Sequence, residues 1–236
     1  MEKGRIWRPD LCPDDLAVDE AALLFRLGYP DAKCVSNKVR RVLDQIGEPL
    51  RRSCRPKAVA RFLELVEIES PKRGFSVPGG FVFSTRLVSG ALFPAKLWAA
   101  FALTIGEPTL DLPGEKGGDL LRDYCADAVA SVLAEGLAQK VHERLSALME
   151  ESGLVSGFRY SPGYCDWPVT DNRELLALAD AESIGITLTP GGMMSPRKSI
   201  SAIVAFGEPD STIREPACRR CEKRCPHFRK QGGSGD

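Results

Sequence analysis

The stretch RYSPGYCDWP, residues 159–168, crowds a guanidinium, two phenols, an indole and a thiol around Pro162-Gly163. An arginine fork matches a carboxylate bidentately. Glycine lets backbone approach a ligand closely. The plainer alternative is a type II turn with Pro162 and Gly163 at its central positions, its aromatics covering a neighbouring helix. The stretch by itself leaves both readings open.

A second cluster of reactive side chains lies near the C-terminus. Cys218, Cys221 and Cys225, followed by Pro226, copy the last three positions of the ferredoxin run CxxCxxCxxxCP, with Glu215 at the first position. The order is reversed from the CxxxCxxC of radical enzymes, which puts that chemistry out. With His227 the three thiols can instead form a Cys3His zinc knot. Arg214 to Lys230 holds seven basic and two acidic residues. Such a field favours thiolates, which suits metal binding or a redox thiol set. An inert tail is the remaining alternative, and Cys165 is a candidate fourth ligand.

Other chemistries find no support. There is no GxxxxGK[ST], no strand-bound GxGxxG and no HExxH. Two histidines supply a His-rich metal site or a triad poorly. His142, in VHERL, reads as a helix residue with an ordinary hydrogen bond.

The elements that must position these groups follow from pattern. The chain has 236 residues, 43% of them hydrophobic, enough for one sizeable core with or without a small appendage. Net charge is zero, so nothing global points to nucleic acid or membrane. Charge is segregated, however. Lys38 to Arg61 carries eight basic and two acidic residues, and Glu107 to Glu151 ten acidic and four basic. Such segments form solvated faces or meet a charged partner. No segment resembles a signal peptide, and the apolar run Leu97 to Leu103 is far short of the roughly 20 residues a membrane span needs. Five of eight cysteines are scattered singly, unlike a secreted disulfide framework. A soluble, cytoplasmic protein is expected.

Residues 17–70 read as helical, with stripes at Ala21, Leu24, Phe25, Leu27, then Val39, Leu43, Ile46 up to Gly47, then Phe62, Leu63, Val66. Residues 74–90 read as short strands or a hairpin broken at Pro78-Gly79-Gly80. Leu97 to Ile105 is a buried strand or a buried helix. A long helix follows from about Asp119 to Glu151, capped by Asp119 and ended by Gly153. Its buried face runs through Leu121, Cys125, Ala128, Val132, Leu137, Val141, Leu145 and Leu148. Glu135, Gln139 and His142 share another face. A shorter helix starts at Thr170 or Asp171, with Asp171 and Glu174 as a capping-box pair. Ile184, Ile186, Leu188 and Ile200, Ala202, Val204, Phe206 alternate as two strands joined by TPGGMMSPRK. The class is α+β, a twisted antiparallel sheet with flanking helices. The division expected is a helical/β region at 1–90 belonging to the same unit, a core at 91–207 and a Cys-rich basic tail at 208–236.

FRYSPGYCDWP, then IGITLTPGGMMSPRKSISAIV, resembles the activation (reactivation) domain of cobalamin-dependent methionine synthase. Arg159, Pro162, Gly163 and Tyr164 match its Arg-x-x-Pro-Gly-Tyr loop. Gly185 to Thr189 match its IGI-L-T segment, and Pro196, Ser199 and Ser201 its P-x-x-S-x-S strand. AAFALTIG at 99–106 and AEGLAQKVHERL at 134–145 resemble two further segments, in order. The resemblance implies binding of S-adenosylmethionine and reductive methylation of cob(II)alamin, hence a role beside methionine synthase. It implies that Arg159 binds the carboxylate of S-adenosylmethionine. The backbone around Ser161 and Gly163 would hold the adenosyl or methionyl part, Glu143 would sit near the sulfonium, and Tyr164 would face the corrin. The chain departs from the family in lacking a D-x-H-x-x-G loop, so cobalamin must come on a separate corrinoid-binding protein or methionine synthase module. It also lacks the tyrosine pair after the last strand, near Ser211-Thr212-Ile213. The Cys tail is an addition; an iron–sulfur cluster there would deliver the electron that reactivation needs, and zinc is the other metal the tail could hold. An outside electron donor is the other source.

Overall fold

The computed structural model describes residues 4–64, 74–77, 81–93, 95–109, 119–211 and 217. Five antiparallel strands form the central sheet in the order β1-β2-β5-β9-β6. They are β1 (Ile6–Trp7), β2 (Lys57–Glu64), β5 (Leu97–Thr104), β6 (Val155–Tyr160) and β9 (Ser199–Gly207). A small hairpin joins β3 (Phe75–Val77) to β4 (Phe81–Phe83), and another joins β7 (Thr187–Leu188) to β8 (Met194–Ser195). The helices are α1 (Glu20–Leu27), α2 (Asn37–Ser53), α3 (Arg86–Leu92), α4 (Leu120–Glu150) and α5 (Asn172–Ala179).

The sheet divides two cores because its side chains alternate. Ala58, Ala60 and Phe62 of β2, Ala99, Phe101 and Leu103 of β5, and Ala202, Val204 and Phe206 of β9 face α1, α2 and α4. Val59 and Leu63, Trp98, Ala100 and Ala102, and Ile203 and Ala205 face α3, α5 and the β3–β4 hairpin. The register keeps the faces aligned: Ala60 opposes Phe101, which opposes Ala202.

The long helix matches its punctuation. Asp119 accepts from the Leu121 amide, and Gly153 takes a positive φ of 73° just beyond the end. Cys125, Ala128, Val132, Leu137, Val141 and Leu145 are buried as expected, with Met149 added.

Several expectations are corrected. Residues 57–64 are a strand of the central sheet, not a helix; burial on both faces removes the alternation that marks a strand. In α1 the buried residues are Leu23 and Leu27, while Phe25 is exposed. Helix α2 does not stop at Gly47 but continues through Pro49 to Ser53. The alternating segments before and after TPGGMMSPRK are not partners. Among the described residues β7 pairs with β8 alone, whereas β9 pairs with β5 and β6. Asp171 makes no capping hydrogen bond to α5; its carboxylate accepts from the Trp167 indole at 3.0 Å instead.

Candidate functional site

Adjacent residues at the end of β6 face opposite ways. Arg159 opposes Val204, of the first core, and Tyr160 opposes Ile203, of the second. Arg159 therefore reaches toward α4. It is only 9% exposed, and its guanidinium donates to Glu135 Oε2 at 3.2 Å. A buried charge needs such a partner. Glu135 itself is 46% exposed at its side chain, so it can turn toward solvent. Glu135, Gln139 and Glu143 lie at four-residue spacing on one face of α4. Gln139 Nε2 donates to Glu143 Oε1 at 3.1 Å.

These groups line one wall of a cleft of about 710 Å³. The other wall is an N-terminal segment that contributes Asp14, Asp15, Ala17, Val18 and Asp19. The segment crosses α4 where the helix has no side chain. A methyl group at Gly136 would sit 2.7 Å from the Ala17 carbonyl oxygen. Asp15 Oδ2 accepts from the Cys12 amide at 3.0 Å. That hydrogen bond, helped by the charges of Arg144 and Lys140, holds the Asp15 carboxyl below its ordinary pKa against the opposing effect of desolvation. Carboxylates outnumber cations on the lining, which suits a ligand carrying both a carboxylate for Arg159 and positive charge elsewhere.

Beyond Tyr160 the chain forms the type II turn expected of Pro-Gly. Tyr164 N donates to Ser161 O at 3.0 Å, and Gly163 has φ +98°, which demands glycine. Gly163 N donates to Trp167 O at 2.8 Å, and Trp167 N to Tyr164 O at 2.9 Å. The loop is pinned at Asp166, whose carboxylate accepts from Thr85 Oγ1 at 2.6 Å and the Arg86 amide at 2.8 Å, at the start of α3. Negative charge is favoured there. Trp167 is buried edge-on against Phe75 and Phe83, with centroids 5.8 and 5.5 Å away.

The serines of the P-x-x-S-x-S segment are structural. Ser199 Oγ donates to Pro196 O at 2.7 Å, and buried Ser201 donates to Asn172 Oδ1 at 2.6 Å. Neither serine lines the cleft.

The cleft thus brings together Arg159 and Glu143. Ser161, Gly163 and Tyr164 lie on the turn that follows and do not line it. Tyr164 is half-buried and Gly163 exposed. Cys165 is packed in the second core. Cys218, Cys221 and Cys225 lie outside the described residues, as does His227. Among the described residues no group of three or more His, Cys, Asp or Glu side chains is placed to hold a metal ion. No helix among them is long and apolar enough to cross a membrane. Sequence reasoning missed Glu135 as the partner of Arg159, and missed the acidic N-terminal wall. Gly136 was the available signal, since a glycine inside a long helix costs about 1 kcal/mol and asks for a reason.

The sequence model described as "Vitamin B12 dependent methionine synthase, activation domain" matches residues 95–215, more than half of the chain. The match includes Arg159, the Pro-Gly turn and Glu143, and ends before the first tail cysteine. No curated protein matches the chain by sequence. Among solved structures, a crystal structure of the MetH reactivation domain bound to AdoHcy is similar in fold. Its TM-score is 0.59 at 18% identity, over 89% of this chain and 80% of that one. With that likeness of fold and the matched span across the sheet, the long helix and the Arg159 turn, the chain belongs to the vitamin B12-dependent methionine synthase activation domain family.

Proposed function

We propose that this protein binds S-adenosylmethionine in the Arg159 cleft and supports reductive methylation of cob(II)alamin carried by a separate corrinoid protein. The observation that carries the reading is the nearly buried Arg159 guanidinium facing a cleft lined by α4 carboxylates, within the family-matched span. The similar fold crystallised with AdoHcy, the demethylated form of that donor, supports it.

The chemistry balances as one electron plus one methyl cation equivalent. Cob(II)alamin takes an electron from a donor protein, the methyl–sulfonium bond breaks, and a methyl–cobalt bond forms, leaving S-adenosylhomocysteine and methylcobalamin. The activity is thus that of a methyltransferase once the corrinoid chain is present. Arg159 holds the ligand carboxylate as Glu135 shares or yields its place. The freed Glu135 and Glu143 suit the ligand's ammonium and sulfonium charges. The ligand extends beyond the cleft to the turn that follows Arg159, where the backbone of Ser161 and Gly163 contacts its adenosyl or methionyl part, and Tyr164 lies against the corrin of the partner. The site of action is the cytoplasm.

The test is anaerobic spectroscopy of the full chain with a cob(II)alamin-loaded corrinoid protein, S-adenosylmethionine and reductant. The expected result is growth of the methylcobalamin spectrum, lost in Arg159→Ala. A wild-type protein that neither binds S-adenosylmethionine in calorimetry nor yields methylcobalamin sinks the reading.

A second reading has one observation in its favour. Ala217, adjacent to Cys218, is buried, and its amide donates to Tyr160 Oη at 2.9 Å, in the core that also holds Cys165. It makes the tail an iron–sulfur or zinc site with Cys218, Cys221 and Cys225 as ligands. Metal analysis of anaerobically purified protein decides it. A colourless, metal-free sample overturns it.

A further inference from the structure

The cleft has one wall made of secondary structure and one made of a strap. The first wall, α4 with the end of β6, belongs to the core. The second, residues 10–19, contains only a single 3-10 turn, Pro13–Asp15. Yet this strap supplies five of the lining residues. It is fastened to the body of the protein mainly by two arginines. Arg144 of α4 donates from one nitrogen to Asp15 Oδ1 at 2.6 Å and from another to the Asp10 carbonyl at 2.8 Å. Arg51 of α2 donates to the Pro13 carbonyl at 2.7 Å and to Asp14 Oδ1 at 2.9 Å. Each guanidinium thus grips a side chain and a backbone oxygen together, which a point-charge lysine cannot reproduce in full. Leu16 is the strap's apolar anchor, 3% exposed, and Gly136 is the seat for Ala17.

From this geometry we infer that the strap's closure over the cleft sets the affinity for S-adenosylmethionine, with Arg144 the positioning residue that holds it shut. The inference rests on the functional reading above. A ligand seated in the cleft contacts both walls, so it binds the closed strap in preference to the open one. Binding and closure are then linked, and whatever opens the strap weakens the ligand by the fraction of closed chain lost. Arg144 touches no ligand; it acts through Asp15 and the Asp10 carbonyl.

Calorimetric titration of the full chain with S-adenosylmethionine, paired with hydrogen exchange of residues 10–19, tests the linkage. In wild type the ligand slows exchange across the strap. Arg144→Ala speeds strap exchange in the free protein and weakens binding about tenfold, in proportion to lost charge-assisted hydrogen bonds. Arg144→Lys keeps the ion pair to Asp15 but not the second grip, and falls between the two with unchanged melting temperature. That rescue separates positioning from general stability. Wild type that binds while the loosened Arg144→Ala strap binds equally well overturns the strap inference alone. So does strap exchange indifferent to ligand. Wild type that binds no S-adenosylmethionine overturns the functional reading first, and this inference with it.

Discussion

The two faces of the central sheet are built by opposite means. On the α4 face, the cleft is held by charges in pairs: Arg159 with Glu135, Arg144 with Asp15, Arg51 with Asp14. On the α3 face, the loop after β6 is held by aromatic packing, with Trp167 edge-on to Phe75 and Phe83, Trp98 edge-on to Phe75, and Phe75 tilted by 30° against Phe83. Each of these pairs keeps one partly exposed partner, so the pairs can open one at a time, although Arg159, 11% exposed at its side chain, then needs another anion in place of Glu135. A buried aromatic cluster is large and indivisible. One strand therefore joins a face that can adjust to a ligand and a face that fixes the turn presenting Tyr164.

Trp167→Ala breaks the contrast most severely. It removes the indole packed edge-on against Phe75 and Phe83 and deprives Asp171 of its indole donor. The expected loss is about 3–5 kcal/mol, read as a fall in denaturant midpoint without a change in slope. A loss below about 1 kcal/mol contradicts the claim that this face is fixed by packing.

Asp166→Ala sharpens the contrast by placing one polar device within the aromatic face. Asp166 receives the Thr85 hydroxyl and the amides of Arg86 and Leu87 at the start of α3. Removal should cost about 1–2 kcal/mol, as for a lost helix cap. Faster hydrogen exchange should be confined to α3 and the turn, with α4 unaltered. Exchange that rises equally in α4 would mean that the two faces are not separable.

The elements readable from sequence were those whose signals are local. Asp119 and Gly153 mark the ends of α4, and Pro162-Gly163 dictates its turn whatever the surroundings. β2 was unreadable because both of its faces are buried, so Ala58 to Leu63 shows no alternation. β9 was recognisable as a strand, but its partners are β5 and β6, from distant parts of the chain, and no local pattern encodes that pairing. The site divides the same way. Arg159 stands out within its motif. Its partner Glu135 looks like any solvated helix residue, and the acids of the strap acquire meaning only where Ala17 crosses Gly136.

Asp15 offers the smallest and most selective way to probe the charged face, through pH. Its folded carboxyl lies below its ordinary value of 3.8, so the unfolded chain binds that proton more readily. The stability it supplies is then complete above the unfolded value and is lost as pH falls through the lower folded value. Asp15→Asn removes the titrating group while leaving an oxygen for the Cys12 amide. The variant should be slightly less stable than wild type at neutral pH, and the two should converge once acid has protonated Asp15 in both states. Denaturant unfolding across the acid range reads the difference. Parallel curves, with the gap unchanged at the acid end, would show that Asp15 contributes by shape rather than charge. In that case the strap would be fastened by Leu16 and the Gly136 seat, and the α4 face would resemble the aromatic one more than its chemistry suggests.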